Sequence, residues 1–168
     1  MYCLLTVAKA MKCLFVERKD GSNRGKEGLA LQLCERMQKT YQKLERPIAV
    51  FAEGTTTNGD YILPFRSGAF LAKLPVTLVV IQYESNRVSP AWESISGFRH
   101  LLLMLCELRH TASISVLDFH PRENESHQHF NERARKAMAE IGNFALSDST
   151  FKEKLEYHKE LRKSVKVY

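Results

Sequence analysis

Apolar positions along this 168-residue chain recur with two different periods. Apolar residues spaced mostly four apart predict an amphipathic helix over residues 29–44, with lysine and arginine on its other faces. The same criterion predicts helices over residues 130–141 and 151–158, the second opening with a capping-box pair of Thr150 and Glu153. The first stripe consists of Leu29, Leu33, Met37, Tyr41 and Leu44.

Shorter apolar runs between these helices predict strands. Residues 13–16 and 48–51 are uninterrupted apolar runs of strand length, and 75–81 is a longer one with Thr77 as its single polar residue. The last run is apolar on both faces, which predicts a central strand. Residues 112–117 alternate with period two, as an edge or half-buried strand does. Strands that alternate with helices predict an α/β fold, a layered sheet with flanking helices.

The segment 98–108 is apolar almost all round and has two interpretations. One is a helix buried in the core. The other is a helix lying in a membrane interface, with cations at head-group depth and the single tryptophan, Trp92, as an anchor. The flanking basic residues are Arg99, His100, Arg109 and His110.

Charge and cysteine content narrow the class of protein. The net charge is +6, and residues 1–46 alone carry +5. That field suits an anionic partner, although a solvated helix face explains it equally well. The four cysteines form no C-x-x-C pair, so reduced thiols and no metal site are expected. No apolar run reaches the ~20 residues that span a bilayer, and Lys9 and Lys12 follow the apolar start, the reverse of a signal peptide.

The polar loop that follows residues 48–51 is the candidate for chemistry. Ligands bind at the carboxyl ends of strands in open α/β sheets. Gly54 allows a close backbone approach to a ligand, and Glu53 can accept hydrogen bonds from hydroxyls. From these residues alone, a ligand loop and an ordinary Asn-Gly turn remain equally open.

The loop also resembles a known family. Phe51–Thr55 (FAEGT) resembles the F-P-E-G-T block of the glycerol-phosphate and lysophospholipid acyltransferases, with Ala52 where proline is usual. Leu63–Phe70 resembles the phenylalanine, basic residue and Gly-Ala-Phe that follow in that family, and Leu74–Ile81 resembles its proline-plus-strand block. Upstream, Leu14–Arg18 resembles the block that ends in a phosphate-binding arginine. Further matches to lysophosphatidylethanolamine and lysophosphatidylcholine acyltransferases lie in TTTNG after Thr55, PAW at 90–92 and LSD at 146–148.

The resemblance implies a set of substrate-binding residues. Arg18 would hold the lysophospholipid phosphate, and Glu53, Gly54 and Thr55 would bind the glycerol backbone and its phosphate. Arg66 would meet either lipid phosphate or the acyl carrier. Both arginines could instead be solvated surface charges. The family implies acyl-CoA as co-substrate, with no cofactor and no metal.

The family's catalytic block is absent from these 168 residues. No histidine is followed by four residues and an aspartate, and His120 with Glu125 is a near miss interpreted as coincidence. The resemblance therefore implies a partial acyltransferase domain over 1–146, incomplete on its N-terminal side, with a helical extension over 147–168. It has no catalytic residue of its own and is expected to be inactive alone.

The implied activity is acyl transfer from acyl-CoA to lysophosphatidylethanolamine or lysophosphatidylcholine in glycerophospholipid synthesis. A non-catalytic lysophospholipid- or CoA-binding module is the alternative. The implied location is a membrane surface, on the cytoplasmic face of the endoplasmic reticulum, with an anchor outside these residues. Nucleic acid is not an expected partner, because the basic residues lack interleaved aromatics. An incomplete domain should also expose sheet edge and apolar surface, with 75–81 most at risk of aggregation.

Overall fold

A computed structural model gives the fold of the chain. It describes residues 2–14, 23–57, 59–84 and 96–149, together with positions 153, 156, 157 and 160. The elements are α1 (Tyr2–Ala10), α2 (Asn23–Tyr41), β1 (Tyr61–Ile62), a 3₁₀ turn (Ser67–Phe70), β2 (Val76–Glu84), α3 (Gly97–Leu105), β3 (Thr111–Phe119), α4 (His127–Gly142) and β4 (Ala145–Leu146). This mixture of helices and small sheets is an α/β fold, as the sequence predicts.

The larger sheet is an antiparallel pair of β2 and β3. Their register runs without interruption from Val76 opposite Phe119 to Glu84 opposite Thr111. A hydrogen bond of 2.9 Å from Thr77 Oγ1 to Asp118 Oδ1 fixes one end of this register. The strand predicted over 112–117 is therefore confirmed. Among the described residues it is an edge strand rather than a half-buried one, because β2 is its only neighbour there and Ile114 and Val116 are exposed.

The prediction that β2 is central is wrong for the described residues. Its neighbour there is β3 alone, and side chains alternate between buried and exposed along it. Leu78 and Val80 are buried, whereas Val79 and Ile81 are exposed. Successive side chains of a strand point to opposite faces, so an apolar run marks a two-sided strand only when both faces are covered.

The core lies between α4, the packed face of β2 and the 3₁₀ turn. Its buried members are Phe70, Leu78, Phe130 and Ala134. The Phe70 and Phe130 rings meet edge to face with centroids 5.4 Å apart, a favourable aromatic geometry. Ala52, Phe65 and other half-buried side chains pack around this cluster, so the core directly supports the candidate loop.

Helix α4 has capping residues at both ends. The Ser126 side chain accepts a hydrogen bond from the His129 N–H, as an N-cap does. Asn143 ends the helix in the left-handed region, with φ 50°. The chain then enters β4, which pairs in parallel with β1.

Of two further predicted strands, one is wrong and the other lies partly outside the described residues. Residues 48–51 have no regular structure, and Phe51 is exposed. A strand exists only through its ladder, and no described segment pairs with this one. Of residues 13–16, the first two are irregular and the others lie outside the described residues. Much of the predicted helix 151–158 is likewise outside them, as is Trp92.

The first predicted helix is confirmed as α2 and ends at Tyr41, with Lys43 in the left-handed region at φ 60°. Its stripe residue Leu33 approaches the 3₁₀ turn at Gly68. Within the described part of the chain, no helix combines the length and apolar character needed to cross a bilayer.

Candidate functional site

The candidate loop begins with a tight turn at Phe51–Gly54. The Gly54 N–H donates to the Phe51 carbonyl at 3.1 Å, and Gly54 has φ +66°. An L-residue in this left-handed conformation is strained, which explains glycine here. Ala52 stands where the family usually has proline, and it packs against the core cluster. The turn is therefore held by both its backbone and the core.

Arg66 lies where the chain comes back to this turn. Its N–H donates to the Ala52 carbonyl at 2.8 Å, which joins the two ends of the loop. Its side chain then lies against Gly54. A Cβ at position 54 would stand 2.7 Å from Arg66 Cδ and would also clash with Nε. Glycine is thus favoured at position 54 for two reasons, namely its positive φ and the close approach of the Arg66 side chain.

Glu53 has a structural role in the same loop. Its Oε2 accepts a hydrogen bond of 3.1 Å from the Leu63 N–H. This bond ties the turn to the residues that follow β1. One carboxylate oxygen of Glu53, a predicted substrate-binding residue, therefore holds the loop in position.

Helix α4 supports the returning half of the loop through two polar side chains. Asn131 Nδ2 donates to the Phe65 carbonyl at 3.1 Å. Arg135, almost fully buried, donates from Nη2 to the Ile62 carbonyl at 3.2 Å and to the Ser147 carbonyl at 2.7 Å. It also lies 3.7 Å from an Asp148 carboxylate oxygen. Sequence reasoning missed both residues, although Asn131 and Arg135 directly follow the apolar stripe positions 130 and 134.

The arrangement suits a ligand that combines phosphate and hydroxyl groups. A guanidinium binds phosphate through charge-assisted hydrogen bonds. A carboxylate only accepts hydrogen bonds, so Glu53 fits hydroxyls rather than phosphate. The Thr55 hydroxyl donates a long hydrogen bond of 3.5 Å to the Thr56 carbonyl, and a hydroxyl belongs to the donor groups that bind anions. Glu53, Gly54, Thr55 and Arg66 thus come together, while Arg18 lies outside the described residues.

The near miss at His120 and Glu125 has a structural explanation. Arg133 donates from Nε to Glu125 Oε1 at 2.9 Å and from Nη2 to Oε2 at 2.7 Å, and the Arg122 N–H donates to Oε2 at 2.9 Å. The Arg133 bonds and then the Arg122 N–H lower the pKa of Glu125 from 4.5 to about 2, while Glu125 raises the pKa of Arg133. The carboxylate is a partner of arginine, which supports the interpretation of coincidence.

Comparisons with known proteins agree with the resemblance. Residues 3–83 match the family model described as acyltransferase. The chain is 38% identical over 156 residues to the lysophospholipid acyltransferase LPEAT1 of Arabidopsis thaliana, covering 90% of this chain and 39% of that protein. It is 30% identical over 154 residues to lysophosphatidylcholine acyltransferase 1 of Danio rerio, covering 88% of this chain and 29% of that protein.

Lysophosphatidylcholine acyltransferase 1 of Homo sapiens is 28% identical over 153 residues, covering 88% of this chain and 28% of that protein. The chain thus spans between about a quarter and two fifths of the length of these relatives. No solved structure matches the chain significantly. The candidate loop and β2 as far as Tyr83 lie within the matched segment, and the chain belongs to the acyltransferase family.

Proposed function

We propose that this chain carries the lysophospholipid-binding part of an acyl-CoA-dependent O-acyltransferase. The observation that carries the proposal is the contact of the Arg66 side chain with Gly54, inside the loop that resembles the family's substrate block. Relatives named as lysophospholipid and lysophosphatidylcholine acyltransferases support this substrate class. The reaction would take place at a membrane surface, where such lipids reside, with acyl-CoA as donor and no resident cofactor or metal.

In the proposed reaction, a lysophospholipid hydroxyl attacks the thioester carbonyl of acyl-CoA. A C–O ester bond forms, the C–S bond breaks, and the CoA thiolate takes up the proton that a general base removed from the hydroxyl. Arg66 would hold the lipid phosphate and Glu53 would orient the glycerol. A guanidinium is always protonated and cannot be the base. The Glu53 carboxylate is tied to the Leu63 N–H, and no His-x4-Asp pair occurs in the 168 residues.

An acyl-transfer assay on the 168-residue chain tests this proposal. Radiolabelled oleoyl-CoA and lysophosphatidylethanolamine should give no turnover above the background without enzyme, because a positioned base contributes ~10²–10⁴-fold to rate. Sustained turnover by this chain would contradict the proposal, since it would require a base among residues that carry no such pair.

A binding module without acyl transfer is the second candidate function. It is favoured by the combination of an intact loop with the missing His-x4-Asp pair. A stand-alone module has to bury its apolar core residues without help from another segment. Size-exclusion chromatography and a thermal melt discriminate the two: a monodisperse monomer with a sharp transition favours the module, and an associating chain with a broad transition favours the partial domain.

A further inference from the structure

Helix α3 is an apolar helix whose side chains are largely exposed. None of its residues is buried. Six phenylalanine and leucine side chains within residues 98–108 expose between 45% and 102% of their surface. They are Phe98, Leu101, Leu102, Leu103, Leu105 and Leu108. The alternative of a buried core helix is therefore wrong.

The nine residues of α3 are too few to be stable alone in water. Isolated helices shorter than ~12–15 residues are marginal even when alanine-rich, and helices in proteins depend on packing of an apolar face. Phe98, Leu101, Leu102 and Leu105 follow the i, i+3, i+4, i+7 spacing that gathers side chains on one face. A partner that covers this face would stabilise the helix.

The charges around α3 identify the class of partner. Arg99 and Arg109 are exposed. The single acidic residue of the stretch 96–110, Glu107, has a side chain only 14% exposed, with Oε2 3.9 Å from His110 Nδ1. The exposed charge is therefore cationic, beside exposed phenylalanine and leucine. This combination is typical of helices that lie in the head-group region of an anionic membrane.

We propose that α3 and the following segment to His110 form a membrane-docking surface for anionic phospholipid. The apolar face enters the boundary between head groups and acyl chains, and Arg99 and Arg109 contact lipid phosphates. At 1.5 Å per residue the nine-residue helix is roughly 14 Å long, less than half of the ~30 Å hydrocarbon core. It therefore lies along the surface. This proposal does not rest on acyl transfer, because it concerns neither the candidate loop nor a substrate.

Vesicle co-flotation of the full 168-residue chain tests the proposal. Phosphatidylcholine vesicles that contain phosphatidylserine should bind the chain. Leu101→Asn with Leu105→Asn should weaken binding about 10-fold or more by removing buried apolar area. The matched control is Leu31→Asn with Leu44→Asn, two leucines that are similarly exposed, at 67% and 71%, outside α3. Equal loss in both variants, or no binding by the unchanged chain, would overturn the proposal.

The charged half of the surface has its own test. Arg99→Gln with Arg109→Gln should weaken binding to anionic vesicles about 10-fold and leave the weaker binding to pure phosphatidylcholine unchanged. Lys39→Gln with Lys136→Gln removes two exposed lysines elsewhere and should change little. If both pairs weaken binding alike, net charge rather than α3 attracts the chain, and the proposal fails.

Insertion of the helix itself gives a direct spectroscopic readout. With Trp92→Phe, Leu102→Trp makes position 102 of α3 the site of the single tryptophan. Its fluorescence should shift to the blue on vesicle addition and be quenched by lipids brominated on the acyl chain. Binding without quenching would mean that another part of the chain contacts the membrane. Because α3 has no buried residue, thermal melts of these variants should match that of the unchanged chain.

Discussion

Substituting Gly54 beside Arg66 separates the effect of backbone strain on stability from the effect on ligand binding. Gly54→Ala places a methyl group in the left-handed region, at φ +66°, and 2.7 Å from Arg66 Cδ. The backbone strain should cost about 1–2 kcal/mol of unfolding free energy. The clash adds little, because the exposed arginine side chain can rotate away. Arg66 then no longer lies over the turn, and ligand binding should suffer.

Gly59→Ala is the matched control. Gly59 also has positive φ, at +91°, but a Cβ there meets nothing within 4 Å. Urea unfolding should therefore give a similar loss of about 1–2 kcal/mol for both variants. Calorimetric titration with lysophosphatidylethanolamine below its micelle concentration should separate them. Gly54→Ala should lose about 10- to 100-fold in affinity, as expected for one charge-assisted hydrogen bond, and Gly59→Ala little.

A double-mutant cycle completes this test. In an Arg66→Ala background, Gly54→Ala should cost no further affinity, since the displaced side chain is already gone. Two results would refute the reasoning. One is equal affinity for the Gly54→Ala and Gly59→Ala variants. The other is a full additional loss when Gly54→Ala is combined with Arg66→Ala.

Three further predictions concern stability. The pKa of Glu125 is lowered to about 2, so the stability that its ionised carboxylate contributes is complete above the ordinary value of 4.5 and is lost as the pH falls toward 2. Over this pH range the melting temperature should fall less in Glu125→Gln than in the unchanged chain. Equal slopes of melting temperature against pH would contradict the lowered pKa. Arg135→Met removes the side-chain hydrogen bonds to the Ile62 and Ser147 carbonyls, one buried and one part-buried, and should cost about 2–4 kcal/mol in urea unfolding. Lys136→Met on the exposed side of α4 should cost less than about 0.5 kcal/mol. Leu78→Ala on the packed face of β2 should cost about 2–5 kcal/mol and Ile81→Ala on the open face less than about 1 kcal/mol; similar costs would mean that both faces are covered.

The elements that were predicted correctly are those whose signals are local. The stripe of α4 lies between a serine N-cap and an asparagine C-cap, and β3 alternates visibly along its length. Residues 48–51 gave the wrong prediction because a strand needs a neighbour, and pairing depends on distant parts of the chain. The central position expected for β2 failed for the same reason, since apolar composition does not reveal which face is covered.

The candidate site was predicted in part. The resemblance gave Arg18, Glu53, Gly54, Thr55 and Arg66 as substrate-binding residues, but not the bond from the Arg66 N–H to the Ala52 carbonyl that brings Arg66 beside the turn. Arg135 was missed because it acts through hydrogen bonds to two carbonyls that lie about seventy and twelve residues away in the sequence. The sequence alone does not distinguish a buried arginine from a surface one. Apolar surface is exposed on α3 and on the open face of β2.

The central claim is that the loop of Glu53, Gly54, Thr55 and Arg66 binds lysophospholipid. Calorimetric titration of lysophosphatidylethanolamine into the 168-residue chain and its Arg66→Gln variant tests this claim most directly. Lys136→Gln, which removes an exposed lysine on α4, serves as the charge-matched control. We predict saturable binding by the unchanged chain and by Lys136→Gln, and an affinity about 10- to 100-fold lower for Arg66→Gln. Equal affinity in all three proteins would contradict the account, because Arg66 would then have no part in holding the lipid phosphate.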